Sequence, residues 1–218
     1  SVQRFNDLQL TLDGDTGPGK CWQFQFAGVL NDSVYRSPHN GFVPERLYML
    51  HENGNGDWPY RLELGDQYLD FTPLTLRKTL KGARLELQPV SRVGGWRYSL
   101  VLASGADQPD WKTFDYAEDH YHAASFMAED GGWGKISLNL VYNGRAADED
   151  SGRPALSQWV GSVAYAKTLT LGNQALDLQA EWARFTGDLA ADGWQDEPGR
   201  SGTGAFVQLN GRDQERPL

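Results

Sequence analysis

The sequence predicts an all-β protein built as an antiparallel up-and-down β-barrel or part of one, with a β-sandwich or jelly roll as the alternative. Three observations support this fold class. Apolar and polar residues alternate along most of the 218-residue chain, helical periodicity is scarce, and short turns alternate with long loops. No linker or shift in composition divides residues 1–218, so we expect one antiparallel β domain.

The strands are predicted from segments in which every second residue is apolar, because side chains of a strand point to opposite faces in turn. In chain order, the clearest segments are 8–12, 22–26, 60–64, 83–87, 96–102, 136–142 and 176–182. Residues 13–19, 53–57, 129–132 and 172–174 are rich in Gly, Asn and Asp, which is typical of turns. Longer connections are expected near 31–45, 104–118, 143–155 and 187–202, which gives about twelve strands of about 7–12 residues.

Residues 109–128 are compatible with two structures. Trp111, Phe114, Tyr121 and Ala124 lie near one helical stripe, which would suit a helix. The second half also alternates as a strand does, and the turn at 129–132 favours that interpretation for it.

An alternating strand has an apolar face that can meet either another sheet or lipid. Aromatic residues at or near strand ends favour lipid, because the rings of Trp and Tyr suit a membrane interface. The predicted aromatic girdle consists of Trp22, Trp58, Trp96, Trp133, Tyr142, Trp159 and Trp182.

The polar faces carry interleaved charges of both signs in the middle of strands, as expected for a water-filled lumen in which neighbouring strands pair their charges. The predicted lumen-lining residues are Arg61, Glu63, Arg84, Glu86, Arg97, Lys135, Asp177 and Glu181.

Two stretches add a resemblance to a known class. Residues 60–68, 73–76 and 80–87 contain a strand with Gly65-Asp66, a turn, and a strand that opens with the small residues Gly82-Ala83. This order resembles bacterial outer-membrane barrels of the usher, translocon or porin kind, and residues 171–188 resemble a barrel strand leading into an acidic outer loop. The resemblance implies a membrane pore or translocation channel without catalytic residues. Because the chain ends Arg216-Pro217-Leu218 rather than in a strand with a final aromatic residue, we expect it to be a piece of a longer barrel.

Composition excludes several classes. Twenty basic and 29 acidic residues give a formal net charge of −9, which argues against a nucleic-acid partner. Cys21 is the single cysteine, so a disulfide framework and a cysteine-based zinc cluster are excluded. No run is long and apolar enough for a transmembrane helix, and no signal-peptide pattern is present.

Motifs for catalysis or cofactors are weak. His120 and His122 share a strand face and could bind a divalent metal with Asp115 or Glu118, but no third histidine is near, and we predict neither metal nor cofactor. Asp13-Gly14-Asp15 indicates a turn rather than a calcium loop. No nucleophile elbow or phosphate-binding loop is present.

Paired carboxylates near tryptophans would suit a polysaccharide-binding or hydrolysing sandwich, the alternative function. The candidate pairs are Glu63 with Glu86 and Asp177 with Glu181, beside Trp96 and Trp182. Interleaving with Arg favours structural charge pairing instead.

The sequence therefore predicts a non-enzymatic pore, translocation channel or assembly platform in the bacterial outer membrane. Its expected partners are outer-membrane lipid and lipopolysaccharide, a translocated polymer or a periplasmic protein. A third possibility is a surface or filament component whose acidic loops make the contacts.

Overall fold

The computed structural model describes residues 5–31, 41–89, 95–108, 110–148, 152, 155–172, 174–190 and 200–213. They form eleven β-strands and no helix. The strands are β1 Phe5–Gly17, β2 Lys20–Asn31, β3 Gly41–Asn53, β4 Tyr60–Asp70, β5 Arg77–Leu87, β6 Arg97–Ala106, β7 His120–Asp130, β8 Gly134–Arg145, β9 Ala155–Leu171, β10 Gln174–Ala190 and β11 Arg200–Asp213.

All eleven strands belong to one antiparallel sheet in which each pairs with its neighbours along the chain. The up-and-down prediction is confirmed, and the alternative of two packed sheets is not what forms. Within the described residues no ladder joins β1 to β11, so the sheet is not closed and agrees with a barrel or a partial barrel.

Several sequence predictions of the elements need correction. The described part of the chain forms eleven strands, close to the predicted number of about twelve. Residues 110–119 contain bends and turns but no helix, and β7 begins at His120. The strands also extend further than the alternating segments alone, because β1 continues to Gly17 and β10 to Ala190.

The predicted turns at 53–57, 129–132 and 172–174 do lie between paired strands. Together with the connections β1–β2 and β5–β6, they mark one end of the sheet, the short-turn end. The connections β2–β3, β6–β7, β8–β9 and β10–β11 mark the opposite, long-loop end. In the described part of the chain, no helix is long and apolar enough to cross a bilayer.

Candidate functional site

The two faces of the sheet differ in chemistry, and the apolar face is the exposed one. On β8, Leu138 and Leu140 are 49% and 48% exposed, whereas Asn139 between them is 5% exposed. This is the reverse of a water-soluble core, where the apolar side chains are buried. Large exposed apolar side chains on the outward face include Leu8, Leu10, Leu12, Met49, Leu102, Phe126, Ile136, Val163, Leu169, Trp182, Val207 and Leu209.

The inward face is polar and mostly buried in the central strands. Its buried polar side chains include Glu63, Gln67, Ser99, Ser137, Asn139, Asn143, Ser162 and Glu181. Asn139 joins three strands: its Oδ1 accepts from Ser125 Oγ at 2.7 Å, and its Nδ2 donates to Ser162 Oγ at 3.1 Å. Such bonds satisfy polar groups that burial would otherwise penalise.

Charges alternate in sign across the inward face of β3, β4 and β5 near the short-turn end. Arg61 contacts Glu52 at 3.2 Å and donates from Nε to Glu63 at 2.6 Å. Arg84 contacts Glu63 at 3.4 Å and Glu86 at 2.9 Å. We call these five side chains the charge ladder. It brings together four of the eight residues predicted to line a lumen.

The other four predicted residues lie apart along the same inward face. Arg97 pairs with Glu129 at 3.0 Å, and Asp177 accepts from Thr168 at 2.6 Å. Lys135 is exposed and lines a small cavity with Glu181. Glu181 itself contacts Thr72 and Leu74, in a segment whose position over the inward face the sequence did not predict.

That segment is the connection between β4 and β5 with the adjoining strand ends, residues 66–80, which we call the inner hairpin. The ladder between β3 and β4 ends at Gly65, and the ladder between β5 and β6 ends at Lys81. Beyond these residues the hairpin leaves both neighbours and pairs only along its own two arms, with Gln67 opposite Leu80. It therefore folds away from the wall and over the inward face.

A row of glycines permits this bend. Gly65, Gly82 and Gly105 are register partners on β4, β5 and β6. A Cβ on Gly65 would lie 1.9 Å from Leu47 O, and one on Gly82 would lie 2.0 Å from Ser104 O. Gly65 also has a φ of +102°, a conformation that favours glycine. The backbones thus approach where any side chain would hold them apart.

The inner hairpin packs an apolar face against the wall of β6, β7 and β8. Leu69 and Leu80 are each 1% exposed. The cluster of buried apolar residues consists of Leu69, Leu76, Leu80, Ala103, Ala123 and Val141. Small wall residues such as Ala103 and Ala123 leave the room that the leucines fill.

The tip of the inner hairpin reaches the opposite wall. Thr72 Oγ1 donates to Glu181 Oε1 at 2.5 Å, and the backbone N–H of Leu74 donates to Glu181 Oε2 at 3.1 Å. Leu74 Cδ1 lies 3.7 Å from the position of a Cβ on Gly204 in β11. In a flat sheet β5 and β10 would be five strand spacings apart, about 24 Å. The hairpin therefore extends over the inward face as far as strands that are five and six positions from β5 in the sheet.

The base of the inner hairpin is fixed by Asp66. Its carboxylate accepts from Leu47 N at 2.7 Å and from Trp111 Nε1 at 2.9 Å, and it pairs with Lys81. It thereby satisfies a β3 amide beyond the end of the β3–β4 ladder. Trp111 N also donates to Pro44 O at 3.0 Å, so the β6–β7 loop reaches β3 across the gap that the hairpin leaves.

Besides the small cavity beside Lys135 and Glu181, two larger cavities are present. One, of about 640 Å³, is at the short-turn end, and Asp15, Lys20 and three members of the charge ladder line it. The other, of about 410 Å³, is on the long-loop side of the bend, and its lining includes Glu45, Asp107 and the hairpin residues Asp66 and Tyr68. Both linings are rich in charge.

The predicted girdle residues near the short-turn end are Trp22, Trp58, Trp96 and Trp133. Trp58 and Trp133 lie in turns and are 63% and 72% exposed. Trp22 is the third residue of β2, and Trp96 directly precedes β6. All four therefore lie at or beside the end of a strand, and their role in an aromatic girdle stays a prediction.

The other three predicted girdle residues differ in their position along the strands. Tyr142 and Trp159 lie towards the long-loop end with ring centroids 4.8 Å apart, and Trp159 is 47% exposed. Trp182, in contrast, lies in the middle of β10 rather than at its end. Trp182 and Glu181 also point to opposite faces, so this ring and this carboxylate cannot share one sugar-binding surface.

The histidine cluster forms an aromatic group on the outward face. His120 and His122 have ring centroids 5.7 Å apart, Tyr116 stacks on His120, and Ser104 Oγ lies 3.1 Å from His122 Nδ1. Among the described residues, no three or more His, Cys, Asp or Glu side chains are arranged to hold a metal ion.

Comparison with known proteins adds no relative: the chain matches no protein-family model, and neither a curated protein nor a solved structure is significantly similar to it.

Proposed function

We propose that this chain forms a bacterial outer-membrane β-barrel, or a sector of one, that serves as a pore, translocation channel or assembly platform. The observation that carries the proposal is the inverted burial of the sheet, with leucines outward and exposed and Asn, Ser and Glu inward and buried. Lipid is the solvent that favours such an outward face. Lipid and lipopolysaccharide would contact it.

Strand length supports the same proposal. A transmembrane β-strand needs about 9–11 residues at the usual tilt. The shortest described strand, β6, has 10 residues, and β9 and β10 have 17 each. Apart from β4 and β5, which leave the wall at Gly65 and Lys81, each strand is therefore long enough to cross the hydrocarbon region.

The interior would be selective through charge. The charge ladder places carboxylates and guanidinium groups beside the cavity at the short-turn end. Such a lining favours hydrated polar or charged cargo, a solute or a polymer, over apolar cargo.

The first test is fractionation after export to the periplasm of a Gram-negative host. We expect the protein in the outer membrane, extractable only with detergent, with gel migration that changes on heating. Recovery as a freely soluble monomer would contradict the proposal.

The second test is Leu138→Arg. Because Leu138 is 49% exposed, an arginine there would cost a water-soluble protein little, but it should cost about 2–4 kcal/mol if the side chain faces the bilayer midplane. The measurement is the free energy of unfolding in lipid vesicles. The matched control is Asp57→Arg in the exposed β3–β4 turn, which should change stability by less than about 0.5 kcal/mol. Equal small effects would contradict a lipid-facing sheet.

A further inference from the structure

We propose that the inner hairpin is a gate across the interior of the barrel and that Glu181 is its latch. This inference rests on the proposed function, because a gate has meaning only if the interior is a passage. It names the element that regulates that passage.

The position of the hairpin suits a gate. From Gly65 to the tip the chain has about six residues, which span about 20 Å, comparable to the width of a small barrel. The hairpin starts at the wall formed by β3–β6 and ends at β10 and β11. It lies across the interior between the two charged cavities.

The way the hairpin is attached suits movement. Residues 66–80 have no ladder with β3 or β6, so moving them would break no backbone pairing with a neighbouring strand. The backbone bends at Gly65 and Gly82, which carry no side chain to block rotation. Elements that move often hinge at small residues. In the closed state the hairpin is held by the apolar contacts of Leu69, Leu76 and Leu80 with the wall and by the bonds at its tip.

The attachment at the tip depends on one side chain. Both carboxylate oxygens of Glu181 accept from the tip, from Thr72 and from the Leu74 amide. Glu181 is 5% exposed, so these bonds are shielded from water. Glu181→Gln removes the negative charge that strengthens both bonds, and it reverses the bond to Thr72, because the amide N–H must donate to Thr72 Oγ1 while Oε1 accepts from the Leu74 amide.

The experiment measures ion conductance in planar bilayers for three proteins: the full chain, the Glu181→Gln variant and the control Asp13→Asn. Asp13 lies on the polar face of β1, away from the hairpin tip. Like Glu181→Gln, its substitution replaces a carboxylate with an amide. We expect at least a tenfold rise in the open fraction for Glu181→Gln and no rise for the control.

A second pair of variants locks the gate. In a Cys21→Ser background, Leu74→Cys and Gly204→Cys place two thiols on facing sites that a short, reducible bis-thiosulfonate reagent can join. We expect the crosslinked protein to stay closed, also when it carries Glu181→Gln, and to open after reduction with dithiothreitol. Each single-cysteine protein serves as a control for the reagent.

The outcomes separate the two proposals. Conductance that rises with Glu181→Gln and falls on crosslinking supports the gate. A protein that inserts and conducts equally in every form overturns the gate and leaves the barrel function standing. A protein that does not insert into membranes overturns the barrel function and the gate with it.

Discussion

Two regions of the sheet have the same alternating pattern, but their inward-facing side chains are buried in one region and exposed in the other. In β6–β9 the inward Ala103, Ala123, Val141 and Ser162 are between 3% and 7% exposed. On β1 and β11 the inward-facing polar side chains, such as Gln9 and Asn210, are exposed. The difference arises because the inner hairpin packs on the first region, whereas it reaches β11 near Gly204, six residues from Asn210. Alternation decides which way a side chain points, whereas the hairpin decides whether the inward face is buried.

The two regions should also differ in stability. The β6–β9 wall has ladders on both sides of every strand and a packed apolar cluster beneath it. In the described structure, β1 and β11 each have a ladder on one side only. The β6–β9 wall is therefore expected to open at a higher free energy than β1 and β11 do.

The largest expected effect comes from preventing the bend. Gly82→Ala would place a Cβ 2.0 Å from Ser104 O, so the backbones of β5 and β6 would have to separate. The hairpin would then lose its close packing against the wall. We expect a loss of at least about 3 kcal/mol in the free energy of unfolding, measured by urea titration in vesicles.

Gly161→Ala on β9 is the matched control, because its Cβ would have no neighbour closer than 3.9 Å. We expect a change of less than about 1 kcal/mol. Equal effects of the two substitutions would mean that the glycine row does not set the bend.

The next effect concerns the charge ladder. Glu63 is 4% exposed, and Glu63→Ala would leave Arg84 and Arg61 each with one partner fewer. We expect a cost of about 3 kcal/mol in the same titration. Arg77→Ala removes an ion pair with Asp70 in which both side chains are largely exposed, and it should shift the midpoint of the urea titration much less than Glu63→Ala does. A Glu63→Ala protein as stable as the parent would contradict the structural importance of the ladder.

The smallest expected effect on stability comes from replacing an uncharged polar residue, buried in one region and exposed in the other. Asn139→Ala would leave the Ser125 and Ser162 hydroxyls without their partner, for an expected loss of about 2 kcal/mol. Gln9→Ala, on the exposed inward side of β1, should change stability by less than about 0.5 kcal/mol. If the Gln9 substitution cost as much, β1 would be covered as fully as β8.

The sequence predicts much of the sheet and little of the hairpin. Leu138 and Leu140 on either side of Asn139 are enough to assign a strand and its two faces. The interior position of residues 66–80 depends on Gly65 facing Gly82 and Gly82 facing Gly105, and sequence alone does not reveal register across strands.

The resemblance pointed to Gly65-Asp66 and Gly82-Ala83, but as a strand end and a strand start. In the structure β4 continues to Asp70, and these glycines mark a bend instead. Glu181 was predicted to line a lumen, but its contact with Thr72 spans 109 residues of sequence and left no local signal.

The number of strands in the described sheet fixes the relative direction of its two edge strands. Because neighbours alternate in direction, the first and eleventh strands of this sheet run the same way. Contact between these two margins would create a parallel ladder, with slanted bonds unlike those in the rest of the wall. If the proposed barrel closes with antiparallel pairs alone, it needs an odd number of strands in addition to the eleven described, and twelve is the smallest such total.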